Sequence, residues 1–297
     1  MKYFLIPSNT ANLTFSCIAF FFQGRTVYNT QSLAVLGQGW CKNIGPAACL
    51  YAYNLVLVML SIVILLNLHT LYYRLVSIKY FQEKKLVARS LMIFSLHYIF
   101  PLAAIVIGRI RMGDMSDEHM FSVYNETISE HPDYHFEPFG NFGGLRDVHS
   151  IWNKIMTYAF AGIGCYSPIS GYYIRYHTLK VLDTRITSLS EKTVSQFRTV
   201  VHGLTIQVVL PLACYIPNAV LNNYNQYFAE TPLIFAQYTL TIIFTIPSLL
   251  DPIFNIYFIV PYRNAIRNLF SYRLVLQQKN SNQQASRNVT SSIAHTN

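Results

Sequence analysis

The chain has 297 residues, of which 52% are hydrophobic and only 12% are charged. A soluble globular domain carries about 25% charged residues, so this composition cannot supply a water-exposed surface. The net charge of +9 lies in short segments between apolar runs, which excludes a nucleic-acid binder, and the 5 cysteines are too few for a secreted disulfide framework. The composition predicts a polytopic membrane protein.

Six apolar segments are long enough to cross a bilayer, which takes about 20 residues per helix. Lipid offers backbone groups no hydrogen-bond partner, so all six are predicted helices of an all-α transmembrane bundle. The first segment also resembles a signal peptide because Lys2 precedes it, but Phe20 to Phe22 stand where a cleavage site needs small residues. The predicted spans are residues 3–22, 45–68, 91–110, 155–173, 200–221 and 233–260.

Two further segments follow the last span. Residues 261–272 combine apolar positions with Arg263 and Arg267, which is typical of an interfacial helix on the inner leaflet. Residues 273–297 are rich in Gln, Asn and Ser and predict a disordered cytoplasmic tail. The transmembrane domain is therefore expected at residues 1–272.

The basic residues predict the orientation. If Met1 is cytoplasmic, 16 of the 22 Lys and Arg residues face the cytoplasm, as the positive-inside rule requires. The acidic segment from Arg111 to Val148 is then extracellular, and Asn125, which heads an acceptor tripeptide in it, is predicted to be glycosylated. Asn12 and Asn288 also head such tripeptides but are expected in lipid and in the cytoplasm, where they stay unmodified.

Few ionisable groups lie deep in the predicted spans. Asp251 is the one carboxylate, and its insertion cost of about 2.5–3.5 kcal/mol favours a position facing the bundle interior with a functional role. Pro252 and Tyr257 follow on the same helix. Arg74, after Tyr73 at the cytoplasmic end of the second span, either packs against the bundle or snorkels to the headgroups, and the residues alone favour snorkelling.

No catalytic or cofactor motif is present in the sequence. His131, Asp133 and His135 could chelate a metal, but such loop residues are more often solvated, so no metal site is predicted. The cysteines show no paired spacing. Cys41 is the natural anchor for a loop disulfide, yet the acidic segment holds no Cys, so its partner stays open.

The run from Asp251 to Arg263 holds D-P-x-x-x-x-Y, in the place of the N-P-x-x-Y of rhodopsin-like receptors. This run closely resembles the end of the seventh helix in nematode serpentine chemoreceptors. Other blocks resemble the class delta serpentine receptors, namely residues 21–25, 41–74, 188–193 and 204–211. They look like the end of the second helix, the third helix, the third inner loop and the sixth helix of that family.

The resemblance implies a rhodopsin-like seven-helix, G-protein-coupled chemoreceptor at the plasma membrane of sensory neurons. It would bind a small, odorant-like molecule from outside and meet a heterotrimeric G protein inside, without a cofactor. The implied hinges of the sixth helix are Pro211 and Pro217. The implied activation switch consists of Tyr73, Arg74, Asp251, Pro252 and Tyr257, with Tyr73 replacing the acid that precedes the arginine in a D-R-Y motif.

The resemblance also predicts a missing helix. Six spans place both chain ends in the cytoplasm, whereas a seven-helix receptor begins outside. Because residues 21–25 resemble the exit of the second helix, the family's first helix is expected to precede Met1 in a complete gene copy. Asn9 and Asn12 would otherwise face lipid, and the 297-residue form is expected to fold poorly and not to signal.

Two other classes of protein compete with a receptor. A proton-coupled secondary transporter also combines proline-broken helices with an intramembrane carboxylate, but the chain shows no internal repeat. A membrane-embedded enzyme would need a catalytic constellation that the sequence lacks.

Overall fold

The structure is a computed structural model that describes residues 2–80, 83–112, 116–184, 191–227 and 234–258, with five positions between 263 and 268. The helices within these residues are α1 (Lys2–Phe22), α2 (Pro46–Lys79), α3 (Lys84–Phe94), α4 (Ile99–Met112), α5 (Asp117–Glu130), α6 (Ile151–Thr184), α7 (Glu191–Tyr227) and α8 (Ile234–Phe258). The strands are β1 (Gly24–Tyr28), β2 (Leu33–Gly37) and β3 (Gly143–Leu145).

The body of every predicted span is helical, and the third span is divided between α3 and α4. Several helices run well past the predicted boundaries, since α2 continues to Lys79, α6 continues to Thr184 and α7 spans Glu191–Tyr227. Among the described residues, two helical stretches are long and apolar enough to cross a membrane, Pro46–Lys79 and Lys84–Ile110. The number of six spans therefore stays a prediction.

The predicted third span is broken at its centre. A 3₁₀ turn at Ser95–Tyr98 separates α3 from α4. Pro101 explains the break, because it has no amide hydrogen for the carbonyl of His97 and its ring crowds that carbonyl. The rings around the turn pack closely, with Phe94 4.1 Å from Tyr72 and 4.7 Å from His97 between centroids. The break is therefore fixed against α2.

Helix α2 is the centre of the bundle. It packs against α1, α3, α4, α6 and α7. Its leucines Leu50, Leu65, Leu68 and Leu71 are fully buried. Lipid is as apolar as the side chains of these helices, so the burial of apolar surface does not drive the helices together. Close van der Waals packing and hydrogen bonds between helices hold this arrangement instead. The long helix thus offers one rigid frame on which polar side chains of several neighbours converge.

The described residues are mostly helical, as the all-α prediction expects, but they also form a small antiparallel sheet. Strand β2 pairs with β1, where Val27 faces Ala34, and with β3, where Leu33 faces Leu145. Side chains alternate across a strand, so each face has its own apolar neighbours. Leu33 and Val35 pack in the cluster with α1 and α2, whereas the opposite face packs in a second cluster of aromatic residues. The short strands carry no barrel-like alternation over long runs, and sequence reasoning read them as loop.

The acidic segment is folded around α5. Ser116 caps this helix by accepting a hydrogen bond from the amide of His119 at 3.3 Å. Near its other end, Glu126 accepts from the Gln31 amide at 2.9 Å and Glu130 accepts from the Thr30 amide at 2.8 Å. The carboxylates therefore tie α5 to the turn between β1 and β2. We call residues 24–44 and 117–145, which contain β1, β2, β3 and α5, the cap.

A disulfide joins Cys41 to Cys49, eight residues apart. The expectation that these cysteines show no paired spacing is therefore wrong. The chain turns back between them at Gly45, whose φ of 137° is a conformation that favours glycine. At Gly37, a Cβ atom would lie 2.3 Å from the sulfur of Cys49, so only glycine fits beside the bridge. The disulfide holds the start of α2 against the cap.

The remaining expectations need correction or lie partly or wholly beyond the described residues. Asn12 was expected to face lipid, but its side chain is only 2% exposed. Of the predicted interfacial segment 261–272, the structure describes residues 263–265 and 267–268, which are helical. The predicted tail and Asn288 lie outside the described residues. By internal contacts, residues 1–252 form one compact unit and residues 253–297 another.

Candidate functional site

The carboxylate of Asp251 is the centre of the candidate site. Its residue is only 1% exposed, on α8. One oxygen, Oδ2, accepts hydrogen bonds from the amide of Asn12 on α1 at 3.0 Å and from the amide of Asn67 on α2 at 2.9 Å. Hydrogen bonds to a charged acceptor are stronger than neutral ones, so they offset part of the cost of burial. Three helices thus meet at one side chain.

Further hydrogen bonds extend this polar network. The Ser8 hydroxyl donates to Oδ1 of Asn67 at 2.8 Å, and the amide of Gln207 on α7 donates to the backbone carbonyl of Asp251 at 3.2 Å. All of these side chains are buried. The network therefore links α1, α2, α7 and α8, and consists of Ser8, Asn12, Asn67, Gln207 and Asp251.

The hydrogen bonds to Asp251 are unevenly distributed. Both amides donate to the same oxygen, while the other oxygen, Oδ1, is buried without a hydrogen-bond partner among the described residues. The same holds for Oδ1 of Asn12. Replacing the carboxylate by an amide therefore keeps an acceptor for both neighbours and alters mainly the charge.

The guanidinium of Arg74 packs against the bundle instead of snorkelling. Its Cζ atom lies 5.6 Å from the ring centroid of Phe197 on α7. Its Nε atom is buried and has no hydrogen-bond partner among the described residues. Arg74 follows Asn67 by two helical turns, so the two side chains lie on one side of α2. Helix α2 thus contacts α8 through Asn67 and α7 through Arg74.

The remaining predicted switch and hinge residues take different positions. Pro211 is buried on α7, one turn after Gln207, and removes a hydrogen-bond donor for the Gln207 carbonyl. Pro217, farther along α7, is exposed, as is Pro252 on α8. In the second unit, Tyr257 is 65% exposed, and its ring lies edge-on to that of its neighbour Phe258.

The cap contains the other predicted positions. Asn125 is exposed on α5, so its side chain is accessible for modification. A ring nitrogen of His131 lies 3.2 Å from the Tyr28 carbonyl, and the ring stacks on Tyr134. Within the described part of the chain, no three His, Cys, Asp or Glu side chains converge as metal ligands.

Sequence reasoning found Asp251 and Arg74 but missed their partners. Asn12 and Asn67 are amide side chains within apolar runs, and an amide in a membrane helix commonly faces another helix. That signal could have marked both positions. Phe197 offered none, because one phenylalanine among many does not show which ring a cation will meet.

Comparisons with known proteins found a matching family model and similar proteins. Residues 1–268 match the family model described as "Serpentine type 7TM GPCR chemoreceptor Srd". The chain is 36% identical to "Serpentine receptor class delta-63" of Caenorhabditis elegans over 272 residues, which is 91% of this chain and 82% of that protein. It is 27% identical to "Serpentine receptor class delta-59" of the same organism over 273 residues, 90% of this chain and 79% of that one.

Proposed function

This chain belongs to the serpentine type 7TM GPCR chemoreceptor Srd family, and from that premise we propose that a small-molecule ligand drives it to activate a heterotrimeric G protein. Membership makes it a multi-pass membrane protein and a chemosensory receptor of the G-protein-coupled type. Ligand class, G-protein coupling and a place in the plasma membrane of sensory neurons are parts of the proposal.

The observation that carries the proposal is the polar network around Asp251. A carboxylate that is 1% exposed and joined to other helices by amides is costly to keep in lipid unless its contacts serve a function. We assign Asp251, Pro252 and Tyr257 to the switch in the last helix. The network joins α8 to α1 and α2, and Gln207 joins α7 to α8 through its hydrogen bond to the Asp251 carbonyl.

Arg74 is the proposed contact with the G protein. It stands near the end of α2 that lies away from the cap, after Tyr73. With the cap outside the cell, as the distribution of basic residues predicts, this end faces the cytoplasm. We further assign the hinge of α7 to Pro211 and Pro217, since each removes a backbone hydrogen bond within the helix.

We place the ligand where the cap meets α8. Gln237 of α8 is 3% exposed and donates to the Tyr134 hydroxyl at 3.4 Å. The ring of Tyr134 lies 5.0 Å from the guanidinium carbon of Arg25. Aromatic surroundings with a few polar groups suit a small, mainly neutral or weakly polar molecule. Gln237 and Asp251 share one helix, so a displacement beside the cap is carried to the polar network.

A calcium or cAMP readout tests the proposal. Cells expressing the receptor from its full-length transcript are exposed to a panel of odorants, and we expect a reproducible response to at least one. A proton-coupled secondary transporter is the second candidate, because the buried Asp251 carboxylate would also suit a proton site. Odorant uptake into vesicles without any G-protein response would support the transporter and contradict the receptor.

A further inference from the structure

Arg74 has an aromatic partner in place of an acidic one. The residue before it is Tyr73, and among the described side chains no carboxylate lies within ion-pair distance of its guanidinium. The ring of Phe197 takes that place, 5.6 Å from Cζ. A guanidinium over a ring face within about 6 Å is attracted by the ring's quadrupole, more strongly where water is excluded. This contact joins α2 to α7.

The next residue of α7 contacts a different helix. Arg198 pairs with Asp183 of α6, with 2.7 Å between Nη2 and Oδ1. Successive side chains of a helix point about 100° apart, so α7 presents Phe197 to α2 and Arg198 to α6 at one level. The same turn of α7 is therefore held on two sides.

An apolar seam lies next to these two contacts. Val194 of α7 packs with Ile78 of α2 and Leu182 of α6 in one buried cluster, and Phe197 packs against it. Apolar packing of this kind keeps the three helix ends together but is not specific for one arrangement. The cation–ring contact and the ion pair add that specificity, because both depend on the position of α7.

We propose that Phe197 and the Asp183–Arg198 pair are positioning residues that hold α7 against α2 and α6 in the resting receptor. We call these two contacts, Arg74–Phe197 and Asp183–Arg198, the latch. Its release frees the guanidinium of Arg74 from the ring for its contact with the G protein. The inference rests on the proposed function. It assigns the resting restraint to an aromatic ring and an ion pair between α6 and α7, although Tyr73 has replaced the acid next to Arg74.

The two contacts predict effects of different size. Loss of a cation–ring contact at a partly buried site raises the population of the released state about two- to twenty-fold. The Asp183 and Arg198 side chains are 57% and 53% exposed, and an exposed ion pair is screened by water. Its loss is expected to raise the released population by at most about five-fold.

Basal signalling, normalised to the amount of receptor at the cell surface, gives the first test. Phe197→Leu is expected to raise it, whereas Phe197→Trp keeps a ring for the guanidinium and should not. Asp183→Arg and Arg198→Asp should each raise it, and the double reversal should restore the resting level. Lys180→Gln, at an exposed position of α6 near Asp183, is the matched control and should change nothing.

A distance measurement gives a second test that needs no G protein. Spin labels replace the exposed Lys180 of α6 and Ser195 of α7 after the free cysteines at 17, 165 and 214 are changed to serine. Asp183→Arg should lengthen the distance between the labels, and adding Arg198→Asp should restore it. Unchanged distances and basal signalling in both single reversals would overturn the latch. A longer distance without a G-protein response in any variant would support the latch and contradict the proposed function.

Discussion

Replacing Asp251 with Asn removes a buried charge while nearly preserving the side chain's shape. The new amide oxygen can still accept from Asn12 and Asn67, now 3.0 Å and 2.9 Å from Oδ2. A hydrogen bond to a charged group stabilises by about 1.5–3 kcal/mol, whereas one between neutral groups stabilises by about 0.5–1.5 kcal/mol. Each bond therefore loses about 1 kcal/mol. Together the two hydrogen bonds lose about 2 kcal/mol. This loss changes the equilibrium between the receptor states that depend on the network by about thirty-fold.

We expect Asp251→Asn to lower ligand potency by up to about thirty-fold without lowering the amount of receptor at the surface. The surface level holds because an amide costs less to insert into the membrane than a carboxylate. The assay is a dose–response curve for a responding odorant, with surface receptor quantified in the same cells. Ser248→Ala, one turn earlier at another buried position of α8, is the control. Unchanged potency in Asp251→Asn would refute the role of the charge.

Four further variants have defined outcomes. Asn125→Gln should abolish the mobility shift that an N-glycosidase produces, and a shift that persists would contradict the predicted orientation. Cys41→Ser should destabilise the receptor by about 2–3 kcal/mol for a bridge of eight-residue separation. Cys49→Ser should lower the midpoint of thermal inactivation of the detergent-extracted receptor as much as Cys41→Ser does. An unchanged midpoint in either variant would show that the disulfide does not stabilise the receptor. Pro211→Ala restores a donor for the helix and should reduce the maximal response, whereas a normal maximum at normal surface level would exclude a hinge there.

The sequence predicted the helices well because lipid imposes a strict requirement on them. A spanning segment must be apolar and must satisfy its own backbone, so runs such as residues 45–68 mark helices without further information. The break before Pro101 follows from the proline itself, which lacks an amide hydrogen and crowds the carbonyl four residues earlier. The helix ends were underestimated, since α2 continues to Lys79 through residues that pack against other helices.

The cap and the partners of the site were not predictable in the same way. Strand β1 pairs with β2 next to it in sequence, but β2 pairs with β3 more than one hundred residues later, and no local pattern encodes such a pairing. Asp251 was identified from its charge within an apolar run and from the D-P-x-x-x-x-Y pattern that it begins. Its partners Asn12 and Asn67 lie 239 and 184 residues away, so only the packing of the helices reveals them.

The most direct test of the account is nucleotide exchange on a heterotrimeric G protein by the purified receptor in lipid nanodiscs. The receptor is prepared from its full-length transcript and tested with a responding odorant, beside an Arg74→Ala variant that is matched for folding. We predict that the odorant accelerates exchange with the unaltered receptor and that Arg74→Ala reduces this acceleration. Odorant binding without any acceleration of exchange by a panel of G proteins would contradict the account.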